Sequence, residues 1–248
     1  MAFSEVEATL NTRGWWNATD PKVQGVVRDL FDRGREGFVR DLAQNPDRLG
    51  DLNITKLVMV VFEPFSACLP VFEVNKDGQK PYTMSYHSWK TGPASGAKGV
   101  VFVRNTDGEV THFVTLKAMK FAVHGETFDA IGGFTESGEF NVSETILREI
   151  TEEIGKVGEV EVVNLGSVYT DAGMTNNHPG MFAAFITVTP DVNHSNTDKR
   201  ETSQTIQVRP ITEFAAFLSD ECDDSFTLAA ATRLIVKGLL PNVIDVKA

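Results

Sequence analysis

Apolar positions recur at helical spacing through the first fifty residues. In "DPKVQGVVRDLFDRGREGFVRDLAQ" they are Val23, Val26, Val27, Leu30, Phe31, Phe38, Val39 and Leu42, a period of about 3.6. Gly34 and Gly37 punctuate the run, so two helices are expected rather than one. Trp15 and Trp16 are read as anchors that pack this segment, ahead of a binding platform. From Ile54 the pattern changes to β-branched runs. "ITKLVMVVF", "LPVFEV" with the turn "NKDG", "PYTMSYHS", "GVVFVRN", a turn at Asp107-Gly108, "VTHFVTLKAM" and "FDAIGGF" read as strands and hairpins. An acidic helix follows. Then come strands at "VEVVNLGSVY", "GMFAAFITV" and "QTIQVRPI", and helices at "PITEFAAFL" and "SFTLAAATRLIVKGLL". Strands on both sides of a central helix, closed by two more, predict an α/β class. The change of period gives an expected division into an N-terminal helical extension, 1–53, and a main domain, 54–248.

Composition narrows the partners. A formal net charge of −11 argues against a wide grip on long nucleic acid, which needs clustered Lys and Arg. It leaves room for a phosphate-bearing small molecule, because a bound divalent cation reverses the local field. There is no apolar run of membrane-spanning length, and "MAFSEVEATLNTRGWW" lacks the basic start and apolar core of a secretory leader. Cys68 and Cys222 stand far apart without metal-ligand spacing, so a reduced, cytoplasmic setting is expected.

The densest chemistry lies in "GGFTESGEFNVSETILREITEEIG", residues 132–155. As a helix, "SETILREITEEIG" is capped by Ser143 and turns Ile146, Leu147, Ile150 and Ile154 inward. Glu149, Glu152 and Glu153 stand three and four residues apart and share one side, and Arg148 pairs with Glu152 at i, i+4. Three converging carboxylates form a hard-oxygen site suited to Mg²⁺ or Mn²⁺. The helix alone reads equally well as a solvated face of ordinary salt bridges. The loop ahead of it, with Gly132-Gly133 and Gly138-Glu139, favours the metal.

This segment resembles the Nudix box. Gly133 is followed by five residues and Glu139, and "REITEEIG" supplies Arg148, Glu149, Ile150, Glu152, Glu153 and Gly155. Two positions depart from the pattern. Eight residues rather than seven separate Glu139 from Arg148, and Lys156 replaces an apolar residue. The resemblance implies a Nudix-type α/β/α sandwich on a mixed sheet across about residues 54–248. It also implies metal-dependent hydrolysis of a nucleoside diphosphate linked to another moiety. Glu149, Glu152 and Glu153 would bind Mg²⁺ or Mn²⁺, Arg148 would orient one of them, and the Gly132 carbonyl would approach the metal. Glu139 would act through a metal-bound water or at a second metal.

Looser likenesses point toward the ADP-ribose and nucleotide-sugar branch: "VTLKAMKFAVHGETFDAIGGF" before the box, "VYTDAGMTNNHPGMFAAFITV" after it, and the closing helices. In that branch a late loop usually supplies the catalytic base. Here that loop is "TPDVNHSNTDKRETSQ", and Glu201 is the candidate, against its reading as a surface glutamate. His124 and His178 are read as surface or packing residues ahead of substrate contacts. Two other readings stay open. One is a Nudix hydrolase of nucleoside triphosphates, NADH, dinucleoside polyphosphates or capped RNA. The other is a non-catalytic nucleotide sensor. The long apolar N-terminal face, and the N-terminal strands through which related enzymes commonly pair, give an expected homodimer with residues 1 to about 85 at its interface.

Overall fold

A computed structural model describes residues 3–62, 67–89, 95–136, 141–194 and 204–240. The chain groups into two compact units. One comprises residues 1–95 with 134–140 and 169–178, and the other holds the rest. No helix of the described residues is long and apolar enough to cross a membrane.

The first unit opens with four helices, α1 (Phe3–Leu10), α2 (Gly14–Asn17), α3 (Pro21–Asp32) and α4 (Glu36–Gln44). Asp20 starts α3: its carboxylate accepts from the Lys22 N–H at 2.8 Å, and Pro21 fills the first helical position, where no donor is needed. Strands β1 (Arg48–Leu49), β2 (Leu52–Phe62), β3 (Cys68–Lys76) and β4 (Tyr82–Ser85) form an antiparallel sheet in that order. The boundary expected after residue 53 falls inside β2, and these strands make a sheet of their own rather than joining the sandwich.

The helices cover one face of this sheet. Trp15, Trp16, Val27, Leu30, Phe38 and Leu42 pack with Leu57, Phe72 and Val74. Trp15 meets Phe72 edge-on at 5.3 Å, and its Nε1 donates to the Asn45 carbonyl at 3.1 Å, so the buried indole keeps its hydrogen bond. The tryptophans are anchors, as their sequence context suggested.

The second unit is the sandwich. Its strands are β5 (Ala97–Arg104), β6 (Val110–Lys120), β7 (Gly125–Asp129), β8 (Ile131–Gly133), β9 (Val160–Ser167), β10 (Gly180–Ile186) and β11 (Gln204–Pro210). They form one sheet along the path β11-β6-β5-β10-β9, with β7 on β6 and β8 on β5. Only β5 and β10 run parallel among these pairs, which makes the sheet mixed. Alternation along β5 and β10 sends side chains to both faces. Val101, Val103, Phe182, Ala184 and Ile186 meet Ile146, Ile150 and Ile154 of α5 (Val142–Ile154). Val100, Phe102, Met181, Ala183 and Phe185 meet α6 (Phe214–Asp220) and α7 (Ser225–Val236) through Phe214, Phe217, Ala230, Ala231 and Leu234. The expected α/β/α architecture is present. Burying each isoleucine of α5 is worth about 1.5–3 kcal/mol, which holds the acidic helix to the sheet.

Candidate active site

The site is built on α5. Asn141, not Ser143, caps it: the Asn141 carboxamide oxygen accepts from the Ser143 N–H at 3.0 Å, so the helix begins at Val142. Leu147 is 40% exposed and leaves the inward face, where Thr145 is buried instead. The helix ends at Gly155, whose φ of +82° favours glycine.

Two of the three clustered glutamates are buried. Glu149 is 9% and Glu153 5% exposed, while the Glu152 side chain keeps 37%. Carboxylates beside Ile146, Ile150 and Ile154 are costly unless they are paired. Arg148 provides the pairing for two of them, its guanidinium lying 2.8 Å from both Glu149 Oε1 and Glu152 Oε2. Glu153 Oε2 accepts from the Gly132 N–H at 3.0 Å. A Cβ on Gly133 would stand 2.3 Å from Glu149 Oε1, so the second glycine leaves the space that this carboxylate fills. Gly132 has a φ of +145°, and a Cβ there would meet the Ala97 carbonyl oxygen at 2.1 Å. The two glycines therefore do different work: Gly132 permits the backbone path of β8 against β5, and Gly133 admits Glu149.

The structure thus brings Arg148, Glu149 and Glu152 together, and joins Glu153 to Gly132. Glu139 and Glu201 lie outside the described residues. His124 is exposed with a φ of 55° after a short 3₁₀ turn. The ring of His178 stacks on Tyr169 at 4.0 Å and 10°. The sequence reading missed His194, whose Nε2 lies 3.0 Å from the Glu152 carbonyl.

A family profile described as the NUDIX domain matches residues 96–228, more than half of the chain. The chain belongs to the Nudix hydrolases. A solved structure, "Crystal structure of ADP compounds hydrolase", is similar in fold to this Nudix chain, with a TM-score of 0.57 and 11% identity over 79% of this chain and 99% of that one. No curated protein matches this sequence significantly.

Nudix hydrolases generally use divalent metals such as Mg²⁺. Among the described residues no three His, Cys, Asp or Glu side chains are already gathered into a metal cage. Mg²⁺ does not require one, since it is usually held by one or two carboxylates together with waters and substrate phosphates. Glu149, Glu152 and Glu153 are hard-oxygen donors confined to neighbouring turns of one helix, and that donor set fits the ion.

Proposed function

We propose that this Nudix hydrolase cleaves the pyrophosphate bond of a nucleoside diphosphate linked to another moiety, with ADP-ribose or a related nucleotide sugar as substrate. The observation that carries the reading is the burial of Glu149 and Glu153 against the Gly132-Gly133 segment, with Arg148 gripping Glu149 and Glu152. A helix whose only task was to pack would place apolar residues there at lower cost. The substrate class is supported by the stretches flanking the box and by the fold neighbour, itself an ADP compounds hydrolase.

In this reading Glu149, Glu152 and Glu153 hold the divalent cation, Mg²⁺ or Mn²⁺. Bound there, the ion supplies Lewis-acid polarisation of the phosphoryl oxygens and acidifies a water. Arg148 fixes the rotamers of Glu149 and Glu152, so both carboxylates are oriented before substrate arrives. The Gly132 N–H holds Glu153 in the same way. Glu139 would assist through a metal-bound water or at a second metal. Glu201 is the proposed base that takes the proton from the attacking water.

The second half of the proposal is a homodimer. Met59 and Val61 on β2, and Tyr82 and Met84 on β4, expose apolar surface on the N-terminal sheet, within the residues expected at the interface.

A panel of ADP-ribose, UDP-sugars, NADH, dinucleoside polyphosphates and nucleoside triphosphates, assayed with Mg²⁺ and again with excess EDTA, tests the activity. The expected result is fastest turnover of ADP-ribose or a nucleotide sugar, abolished by the chelator. Full activity in EDTA would overturn the metal reading. Preference for triphosphates would overturn the substrate class, and no turnover across the panel would favour a nucleotide sensor.

A further inference from the structure

The last carbonyls of a helix have no partner within it. At the end of α5 the Thr151 carbonyl accepts from the Gly155 N–H at 3.1 Å. The Glu152 carbonyl is met from outside the helix, by His194 Nε2 at 3.0 Å. A carbonyl oxygen only accepts, so Nε2 carries the hydrogen and donates it. The remainder of the ring lies against Gly155: a Cβ there would stand 3.2 Å from His194 Nδ1 and 3.3 Å from its Cγ. Gly155 therefore answers two demands, a left-handed backbone and space for the imidazole. His194 is itself set by a local turn. Its N–H donates to the Asp191 carbonyl at 2.9 Å, and the Asp191 carboxylate accepts from the Asn193 N–H at 2.9 Å.

We propose that His194 is a positioning residue for the metal-holding end of α5. Glu149, Glu152 and Glu153 all lie in its last two turns, and helix ends fray when their carbonyls are unpaired. The bond from Nε2 fixes the peptide of Glu152 and, through it, the direction in which Glu152 and Glu153 leave the helix. Groups that hold a metal must be kept within about 0.5 Å of their working positions, a tolerance that a frayed turn does not meet. The turn at Asp191–Asn193 holds the ring where it can act. The inference rests on the reading of α5 as the metal-binding helix.

Side-chain reach makes the idea testable. The amide nitrogen of a glutamine falls where Nε2 of a histidine stands, and that of an asparagine falls where Nδ1 stands. His194→Gln therefore keeps the donor, while His194→Asn and His194→Ala lose it. The measurement is Mn²⁺ binding to the substrate-free full chain by calorimetry, with a thermal melt of each variant. Expected is about a tenfold weaker Mn²⁺ affinity in the Ala and Asn variants, the scale for losing a residue that orients a ligand, with His194→Gln close to wild type. Melting temperatures should stay within about 4 °C of one another. In turnover assays excess Mn²⁺ should restore kcat in the two weak variants, with substrate KM at saturating metal unchanged.

Equal Mn²⁺ affinity in all four proteins would overturn the role of His194 and leave the metal reading intact. So would a His194→Gln variant as weak as His194→Ala, or affinity losses that merely track melting. A wild-type chain that binds no Mn²⁺ would overturn the metal reading, and this inference with it. If His194→Ala fails to fold, the Asn and Gln variants still decide the matter.

Discussion

Alanine at position 133 should silence the enzyme without unfolding it. A Cβ there would stand 2.3 Å from Glu149 Oε1, 2.8 Å from its Cδ and 3.0 Å from Oε2. Ordinary contact begins at 3.4 Å, so the carboxylate must retreat by about 1 Å. Unlike Gly132, Gly133 does not have a positive φ, so its backbone accepts alanine, and the atoms in the way belong to the end of a flexible side chain. The retreat breaks the 2.8 Å contact with Arg148 or drags the guanidinium along, and Glu152 shares that guanidinium. Misplacing a catalytic group by 1 Å costs about a hundredfold in rate, or about 2.7 kcal/mol of barrier. We expect Gly133→Ala to lower kcat/KM for ADP-ribose with Mg²⁺ by about that factor, while its melting temperature stays within about 4 °C of wild type. Gly132→Ala is the contrast. Its Cβ would sit 2.1 Å from a backbone oxygen at a φ of +145°, so loss of folding is expected there. Wild-type turnover in a folded Gly133→Ala variant would remove Glu149 from the chemistry. An unfolded Gly133→Ala would show that the carboxylate cannot yield as argued.

Four further expectations follow from other parts of the molecule. Glu153→Gln should lower kcat by at least about a hundredfold. Its amide oxygen can still accept from the Gly132 N–H, so a variant that melts early yet turns over normally would assign Glu153 a packing role. Deleting residues 1–50 should expose apolar surface and give a monomer or an aggregate, because α1–α4 cover Leu57, Phe72 and Val74. The full chain should sediment as a dimer at micromolar concentration, and a monomer there, or a soluble and fully active truncation, would count against the respective expectation. Burial pushes the Cys68 and Cys222 thiols up to about 11 from 9.0, so at pH 8 native alkylation should run about a hundredfold slower than in the unfolded chain. The stability linked to keeping these thiols neutral is present below pH 9 and is lost as pH rises toward 11, and fast native labelling would contradict the burial.

Much of the fold was legible because period and burial coincide in it. The unbroken apolar runs of β5 and β10, buried on both faces, and the isoleucine stripe of α5 each have a single consistent packing. What escaped the pattern was set by contacts distant in sequence. The four N-terminal strands form their own sheet, since strand patterns do not say which neighbour a strand chooses. Ser143 and Asn141 are both good caps, and the choice fell two residues earlier than expected. Leu147 belonged to the inward face by hydropathy, but the packed stripe runs through Ile146, Ile150 and Ile154, leaving its place to solvent. The site was legible as residue types at box spacing. That Glu149 and Glu153 are buried, in an apparently solvated acidic run, depends on the Gly132-Gly133 segment pressing on the helix. His194 had no sequence signal at all, because its partner is a backbone carbonyl 42 residues away.

The three tryptophans divide in a way that bears on spectroscopy. Trp15 and Trp16 are dry and edge-packed on each other, so their emission should be blue and constant. Trp89 is half-buried and stacks on Phe134 at 6.3 Å and 9°, and Phe134 directly follows Gly133 in the chain. Substituting Phe134 by leucine removes the ring on which Trp89 rests, so it should shift the emission of Trp89 and leave that of Trp15 and Trp16 unchanged. The emission of Trp89 therefore reads the packing of its own partner ring without any label, against a constant signal from the other two indoles.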